Sequence, residues 1–260
     1  MELNLSNKIA LVSGSGRGIG KAVAEMLIEE GCIVFLNDLE EDVLQKTVEE
    51  FRNRTFSDNI HSICSNLVKT ENIKSALNKI FDMTGRSVDI AVANIGTGKS
   101  ITGWDVEDAE WERMFNMNFF GAARLCRESL RVMGQKGDGS IVCIASIAGV
   151  ESIPAPVTYS AAKAALLSFV KNTADIAARF GVRLNAVSPG NVMFEGSTWD
   201  NKLKENPADV MDYINKTVPL KGFADARDIA KMVAFLASDA AQFITGSNFI
   251  VDGGQVRKFI

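Results

Sequence analysis

Tyr159 and Lys163 stand four residues apart in Tyr159-Ser-Ala-Ala-Lys163, and Ser146 precedes them in the chain. That spacing puts the two side chains on one face of a helix. A free tyrosine titrates at ~10, too high for a good base at neutral pH. An ammonium beside it favours the phenolate and lowers that value. The pair therefore predicts a proton donor and acceptor for an alcohol/carbonyl couple. Alone, the same spacing also describes a solvated helix face, so a second motif has to give it meaning.

That motif is Ser13-Gly14-Ser15-Gly16-Arg17-Gly18-Ile19-Gly20. It follows the apolar run Ile9–Val12 and opens a helical pattern, Lys21–Glu30. Strand, glycine turn and helix together make a dinucleotide-binding arrangement. Glycine lets the backbone approach a pyrophosphate, and the helix N-terminus favours its negative charge. Asp38 ends the next apolar run, Phe35-Leu36-Asn37-Asp38. An acidic residue about 20 positions beyond the loop bonds the adenosine ribose of NAD. It also repels the extra phosphate of NADP, since unit charges at 4 Å repel by roughly 1 kcal/mol in water and about 4 at a protein surface. Asp38 is equally placed to cap the helix that starts near Glu41.

Further segments fall in a specific order: Ala93-Asn94-Ile95-Gly96, Asn118 within Asn116-Met-Asn-Phe-Phe-Gly121, Ser188-Pro189-Gly190 and Val251-Asp252-Gly253-Gly254. With the glycine loop, Ser146, Tyr159 and Lys163, these make the chain resemble the short-chain dehydrogenase/reductase family over almost its whole length. The resemblance implies that Ser146 holds the substrate oxygen and Tyr159 transfers the proton. Lys163 then holds the nicotinamide ribose and lowers the tyrosine pKa, and Asn118 keeps a water linking Lys163 to solvent. It implies NAD contacts from Gly14, Arg17, Gly18, Ile19, Gly20, Asp38, Asn66, Leu67, Asn94, Gly96, Tyr159, Lys163, Pro189, Gly190 and the Val192 backbone. Arg17 is a counter-signal, because in the family an arginine in this loop can reach a 2′-phosphate. The chain also departs from the family pattern. Phe194 stands where a threonine is usual, Asn66 replaces an aspartate, Ala93 an asparagine and Ile95 an alanine, while Ser13 keeps the hydroxyl of a threonine.

The elements that must position these groups alternate. Ile9–Val12, Ile33–Leu36, Ile60–Cys64, Ile90–Ala93, Ile141–Ile144, Leu184–Val187 and Phe249–Val251 read as strands. Lys21–Glu30, Glu41–Arg52, Glu71–Met83, Ala109–Met133, Tyr159–Arg179 and Arg227–Ala237 read as helices. Alternation of this kind predicts an α/β fold, one doubly wound Rossmann domain over 1–260 with a parallel sheet of about seven strands and helices on both faces. Residues 191–217 break the pattern. They are polar and aromatic, with a helix expected after Pro207, and are predicted to be a substrate lid whose Phe194 and Trp199 cover the nicotinamide.

Composition excludes several classes. A net charge of −4 leaves no basic footprint for nucleic acid or an anionic membrane. The single histidine, His61, argues against a His-based triad or a multi-histidine metal site, and no metal is expected. Cys32, Cys64, Cys126 and Cys143 lack ligand spacing and read as reduced core residues. The first residues lack the pattern of a signal peptide, so a cytoplasmic protein is expected. The family resemblance also implies a homotetramer, with the helices at 109–133 and 159–179 pairing across two-fold axes and the closing Phe259-Ile260 docking on a neighbour.

The expected activity is hydride transfer between NAD(H) and a secondary alcohol/ketone of a polyol, sugar or hydroxy acid. Two rivals stand beside it: a 3-oxoacyl-carrier-protein reductase using NADP(H), and a non-catalytic NAD-binding sensor. Substrate choice is expected to lie in loops 96–104, 148–157 and 191–217, where Glu151, Trp199 and Lys202 stand ready to address hydroxyls or a charge.

Overall fold

The computed structural model describes residues 2–55 and 58–257. Its strands are β1 (Ile9–Val12), β2 (Ile33–Asp38), β3 (Ile60–Cys64), β4 (Ile90–Ala93), β5 (Gly139–Ile144), β6 (Val182–Pro189), β7 (Val192–Met193), β8 (Ala224–Asp225) and β9 (Asn248–Val251). Its α-helices are α1 (Gly18–Glu29), α2 (Glu41–Thr55), α3 (Thr70–Thr84), α4 (Asp108–Phe115), α5 (Gly121–Lys136), α6 (Val157–Ala178), α7 (Thr198–Glu205), α8 (Pro207–Thr217) and α9 (Ala226–Ala237).

Seven strands form one sheet in the order β3-β2-β1-β4-β5-β6-β9, every pairing parallel. Successive strand residues face opposite sides, and here both sides are apolar. Ala10, Val12, Ile90, Val92, Val142 and Ile144 enter a core closed by α1, α2 and α9. Their neighbours Ile9, Leu11, Ala91, Ala93, Ile141 and Cys143 enter a second core under α3, α5 and α6. That two-sided burial is why the strands read as unbroken apolar runs rather than alternating ones.

Strand order reverses between β1 and β4. The crevice beyond the carboxyl ends of those strands is where ligands bind in such sheets. The glycine loop leaves β1 and the 94–104 loop leaves β4, so both open onto it.

Three elements differ from the sequence expectation. The helix expected over 109–133 is α4, a π-helical turn at Asn116–Phe120, and α5. The cause is local: Asn118 Nδ2 donates to the Met114 carbonyl at 3.1 Å, and the Gly121 N–H reaches back five residues to the Asn116 carbonyl. Cys64 is exposed rather than in the core, because it ends the edge strand β3. The 191–217 segment holds α7 as well as the helix after Pro207, and β7 pairs with β8. The expected α8 start is in place, with Pro207 in its first turn and Asn206 as its cap. Phe259 and Ile260 lie outside the described residues. No helix among those described is long and apolar enough to cross a membrane, and no cluster of potential metal ligands occurs among them.

Candidate active site

A cleft of about 1210 Å³ runs along the carboxyl ends of the strands and is lined from Asp38 at one end to Tyr213 at the other. The glycine loop forms one wall. Gly18 has φ +59°, a left-handed conformation, and begins α1. A side chain at Gly20 would collide with the Gly14 carbonyl and Asn94. Asn94 ties this loop to β4, its Nδ2 donating to the Ser13 and Gly14 carbonyls at 3.1 and 2.9 Å. Its own N–H donates to the Ser13 hydroxyl at 3.0 Å, so the hydroxyl kept at Ser13 has a structural use. Gly14, Gly18, Ile19 and Asn94 all line the cleft, and Gly20 packs behind it.

At one end Asp38 is fixed by backbone donors. Its Oδ2 accepts from Gly16 N–H at 3.1 Å, and its Oδ1 from the Leu39 and Glu40 N–H groups at 2.7 and 3.3 Å. None of these donors belongs to α2, which starts at Glu41, so these bonds fix the turn after β2 and do not cap that helix. Arg17 forms an ion pair with Glu40 instead of reaching into the cleft alone. The Asn66 amide oxygen accepts from the Val68 N–H at 3.0 Å, so one lone pair of that acceptor is already used. Leu67 is fully buried and also lines this end.

Further along, Ser146, Tyr159, Lys163, Asn118 and Gly96 converge. Ser146 is an extended residue after β5 whose hydroxyl caps the following short turn, accepting from the Ala148 N–H at 3.1 Å. Lys163 is 4% exposed and donates to the Ile144 carbonyl at 2.8 Å. Asn118 is wholly buried in the π turn, and its Oδ1 accepts from the Thr97 N–H at 2.9 Å. A Cβ on Gly96 would lie 2.7 Å from Asn118 Oδ1 and 3.4 Å from Lys163 Nζ. Asn118, Lys163 and the Gly96 backbone thus meet at one point.

One electrostatic expectation is corrected here. Lys163 shares the helix face with Tyr159, its Nζ 5.8 Å from the tyrosine ring centroid, but it does not lower the phenol. Burial raises the Tyr159 pKa, and a hydrogen bond from Ser146 is what opposes the rise. Burial also pushes Lys163 from 10.5 down to about 8. Both groups sit where water is scarce, and burial shifts each toward its neutral form.

Pro189, Gly190 and Val192 line the cleft beyond β6. Gly190 permits contact with the closing segment, since a Cβ there would lie 2.7 Å from the Asp252 Cβ. The 191–217 aromatics are arranged differently from expectation. The Phe194 ring lies on Gly18, 2.7 Å from where a Cβ would be. Trp199 stacks on Tyr213 at 5.4 Å and 19°, with Lys202 over its other neighbourhood at 5.0 Å. Packing against these partners places the two rings over the glycine loop and the far end of the cleft. Glu151 accepts from the Arg257 N–H at 3.1 Å and does not line the cleft.

Sequence reasoning missed four residues. Glu40 pairs with Arg17, while Asn191, Gln255 and Tyr213 form a chain of side-chain hydrogen bonds. Asn191 Nδ2 donates to Gln255 Oε1 at 2.9 Å, and Gln255 Nε2 donates to the Tyr213 hydroxyl at 2.9 Å. For Glu40 a signal existed, an acid beside Asp38 facing a lone loop arginine. For the other three none did.

A family model described as enoyl-(acyl carrier protein) reductase matches residues 14–255. The chain belongs to the short-chain dehydrogenase/reductase family. It is 33% identical to the uncharacterised oxidoreductase YvrD of Bacillus subtilis, covering 99% of this chain and 100% of that one. It is 33% identical to the 3-oxoacyl-[acyl-carrier-protein] reductase FabG of Staphylococcus epidermidis, over 95% and 98% of the two chains. It is 30% identical to an NAD-dependent glycerol dehydrogenase of Listeria innocua, over 99% and 97%. Among solved structures, L-sorbose reductase from Gluconobacter frateurii, complexed with NADPH and L-sorbose, superposes with a TM-score of 0.91 at 28% identity, covering 100% of both chains. As a short-chain dehydrogenase/reductase, the protein is an oxidoreductase of alcohol/ketone substrates that uses a nicotinamide cofactor. The cleft fits such a cofactor: its glycine wall admits no side chain at Gly20, and Gly96 leaves room beside Lys163.

Proposed function

We propose that the protein interconverts a secondary alcohol and a ketone on a small polyhydroxylated substrate, using NAD(H), with Tyr159 as the proton-transfer group. The observation that carries this reading is the convergence of Ser146, Tyr159, Lys163 and Asn118 in one cleft with the glycine loop. Gly14, Gly18 and the α1 N-terminus would hold the pyrophosphate, Asp38 the adenosine ribose, and Lys163 the nicotinamide ribose. Ile19, Gly20, Leu67, Asn94, Gly96, Pro189, Gly190 and the Val192 backbone shape the remaining walls, and Asn66 faces the adenine end. When bound, the nicotinamide supplies or accepts the hydride.

The chain's own groups do the rest. The Ser146 hydroxyl orients the substrate oxygen and hydrogen-bonds Tyr159. Tyr159 gives its proton to, or takes it from, that oxygen. Residues 191–217 close over the cleft and exclude water. NAD is favoured over NADP by the Asp38 carboxylate, which is fixed beside Gly16 and lines the cleft. Four free cysteines, with Cys126 and Cys143 sulfurs 3.3 Å apart and unbridged, suit the cytoplasm. A homotetramer is the proposed assembly, and no nucleic acid or membrane partner is proposed.

Tyr159→Phe tests the reading. It should cut turnover by ~10²–10⁴ while leaving NADH binding within about threefold, because the ring and its packing remain. Retention of more than a tenth of the rate would exclude the assigned role.

A second reading, 3-oxoacyl-carrier-protein reductase, is favoured by the similarity to FabG and by Lys99, Arg113 and Lys202 at the cleft. Arg113 is already spent on Glu110, at 2.6 Å. Assaying an acetoacetyl thioester with NADPH against sugars and polyols with NAD separates the two.

A further inference from the structure

We propose that Glu40 is a second determinant of cofactor choice, because it holds the Arg17 guanidinium away from the 2′ position of the adenosine ribose. The inference rests on the reading of the cleft as a dinucleotide site. Arg17 precedes Gly18, the first residue of α1, and is the only cation among the described residues lining the Asp38 end of the cleft. A guanidinium there is the natural partner of a phosphate, presenting paired donors to its oxygens. Here the guanidinium is turned to the Glu40 carboxylate.

Two consequences follow for a dinucleotide carrying a 2′-phosphate. The cation that would bind it is already neutralised, and a second carboxylate stands beside Asp38. Arg17, Asp38 and Glu40 together carry one net negative charge, against a phosphomonoester of about −1.5 to −2. Asp38 is oriented by the Gly16, Leu39 and Glu40 N–H groups, and the carboxylate that pairs with Arg17 is that of Glu40. The Arg17 and Glu40 side chains are 56% and 61% exposed. A substitution at Glu40 both frees the arginine and removes the second negative charge beside Asp38, and the two effects act in the same direction on a 2′-phosphate. The bland alternative is a surface pair with no effect on either cofactor.

The test is calorimetric titration of NADH and NADPH into the wild type, Glu40→Gln, Arg17→Ala and the double variant, at low ionic strength. Glu40→Gln should tighten NADPH by about tenfold and change NADH by less than about threefold. The double variant should lose that gain, and the gain should shrink with added salt. An NADPH affinity unchanged in Glu40→Gln overturns the proposal, as does a gain that persists without Arg17. A wild type that binds neither dinucleotide would remove the underlying reading of the cleft itself. Both positions are exposed and outside the cores, so all four proteins should melt together, and melting curves check it.

Discussion

Lys163 shows what a buried ammonium costs the fold. A lysine titrating at about 8 instead of 10.5 carries a penalty on the order of 3 kcal/mol while charged. The sign follows from proton counting. Below about 8 the folded lysine is charged and its burial opposes folding in full. Between about 8 and 10.5 the folded protein has released a proton that the unfolded chain still holds, so stability rises with pH. Above 10.5 both states are neutral. The stability of the wild type relative to Lys163→Met should therefore rise from pH 7 to pH 10.5, by up to ~3 kcal/mol, on top of a constant offset from the lost hydrogen bond to Ile144. Urea melts across that range measure it, and a flat difference would mean the lysine is not desolvated. At this scale the sequence was readable where chemistry is local. Tyr159 and Lys163 share one helix face, and Ser146 follows a strand closely. It was unreadable where partners are distant. Asn191 and Gln255 are 64 positions apart and Gln255 and Tyr213 are 42, and no periodicity links them. The direction of the Tyr159 shift was also beyond it, because burial depth is set by tertiary packing.

Among the elements, the 191–217 segment and the π turn carry what the apolar pattern does not encode. The strand and helix order was legible because buried parallel strands and amphipathic helices have different periods. The π turn was not, since Asn116–Phe120 differs from an α-helix only by hydrogen bonds shifted one residue. The segment after β6 is anchored at both ends. Phe194 packs on Gly18 at the glycine loop, and Tyr213 of α8 is tied through Gln255 to Asn191 beside Gly190. Asn191 and Gln255 are both buried. A segment held this way should become more protected when cofactor fills the cleft, because Asn191 and Phe194 both line it. Hydrogen exchange across 191–217 should slow in the presence of NADH. Gln255→Leu should speed exchange in 207–217 of the free protein and leave 9–12 unchanged. Equal protection with and without NADH would mean that the segment is a fixed helical excursion.

For the whole molecule, the sheet and its two cores leave an apolar surface unaccounted for. Phe120 at the end of the π turn is 43% exposed, Ile176 on α6 is 50% exposed, and Phe180 just beyond α6 is 51% exposed. Single exposed apolar side chains are ordinary, but these belong to the α5 and α6 side of one sheet face, the side that holds Asn118 and Lys163. Covering them by a second copy recovers about 25 cal/mol for each Å² of apolar surface removed from water. Such contacts are self-complementary when they lie about a two-fold axis, and two different two-fold contacts close a tetramer. Light scattering should give four times the 28.2 kDa chain mass. Phe120→Asp with Ile176→Asp should lower that mass, because burying either carboxylate without a partner is unfavourable. The same variant should still bind NADH within about threefold, since neither residue lines the cleft and surface changes of this kind act locally. A wild type that is monomeric at micromolar concentration would leave the exposed residues as ordinary surface, and a variant that keeps the full mass would place the interface elsewhere.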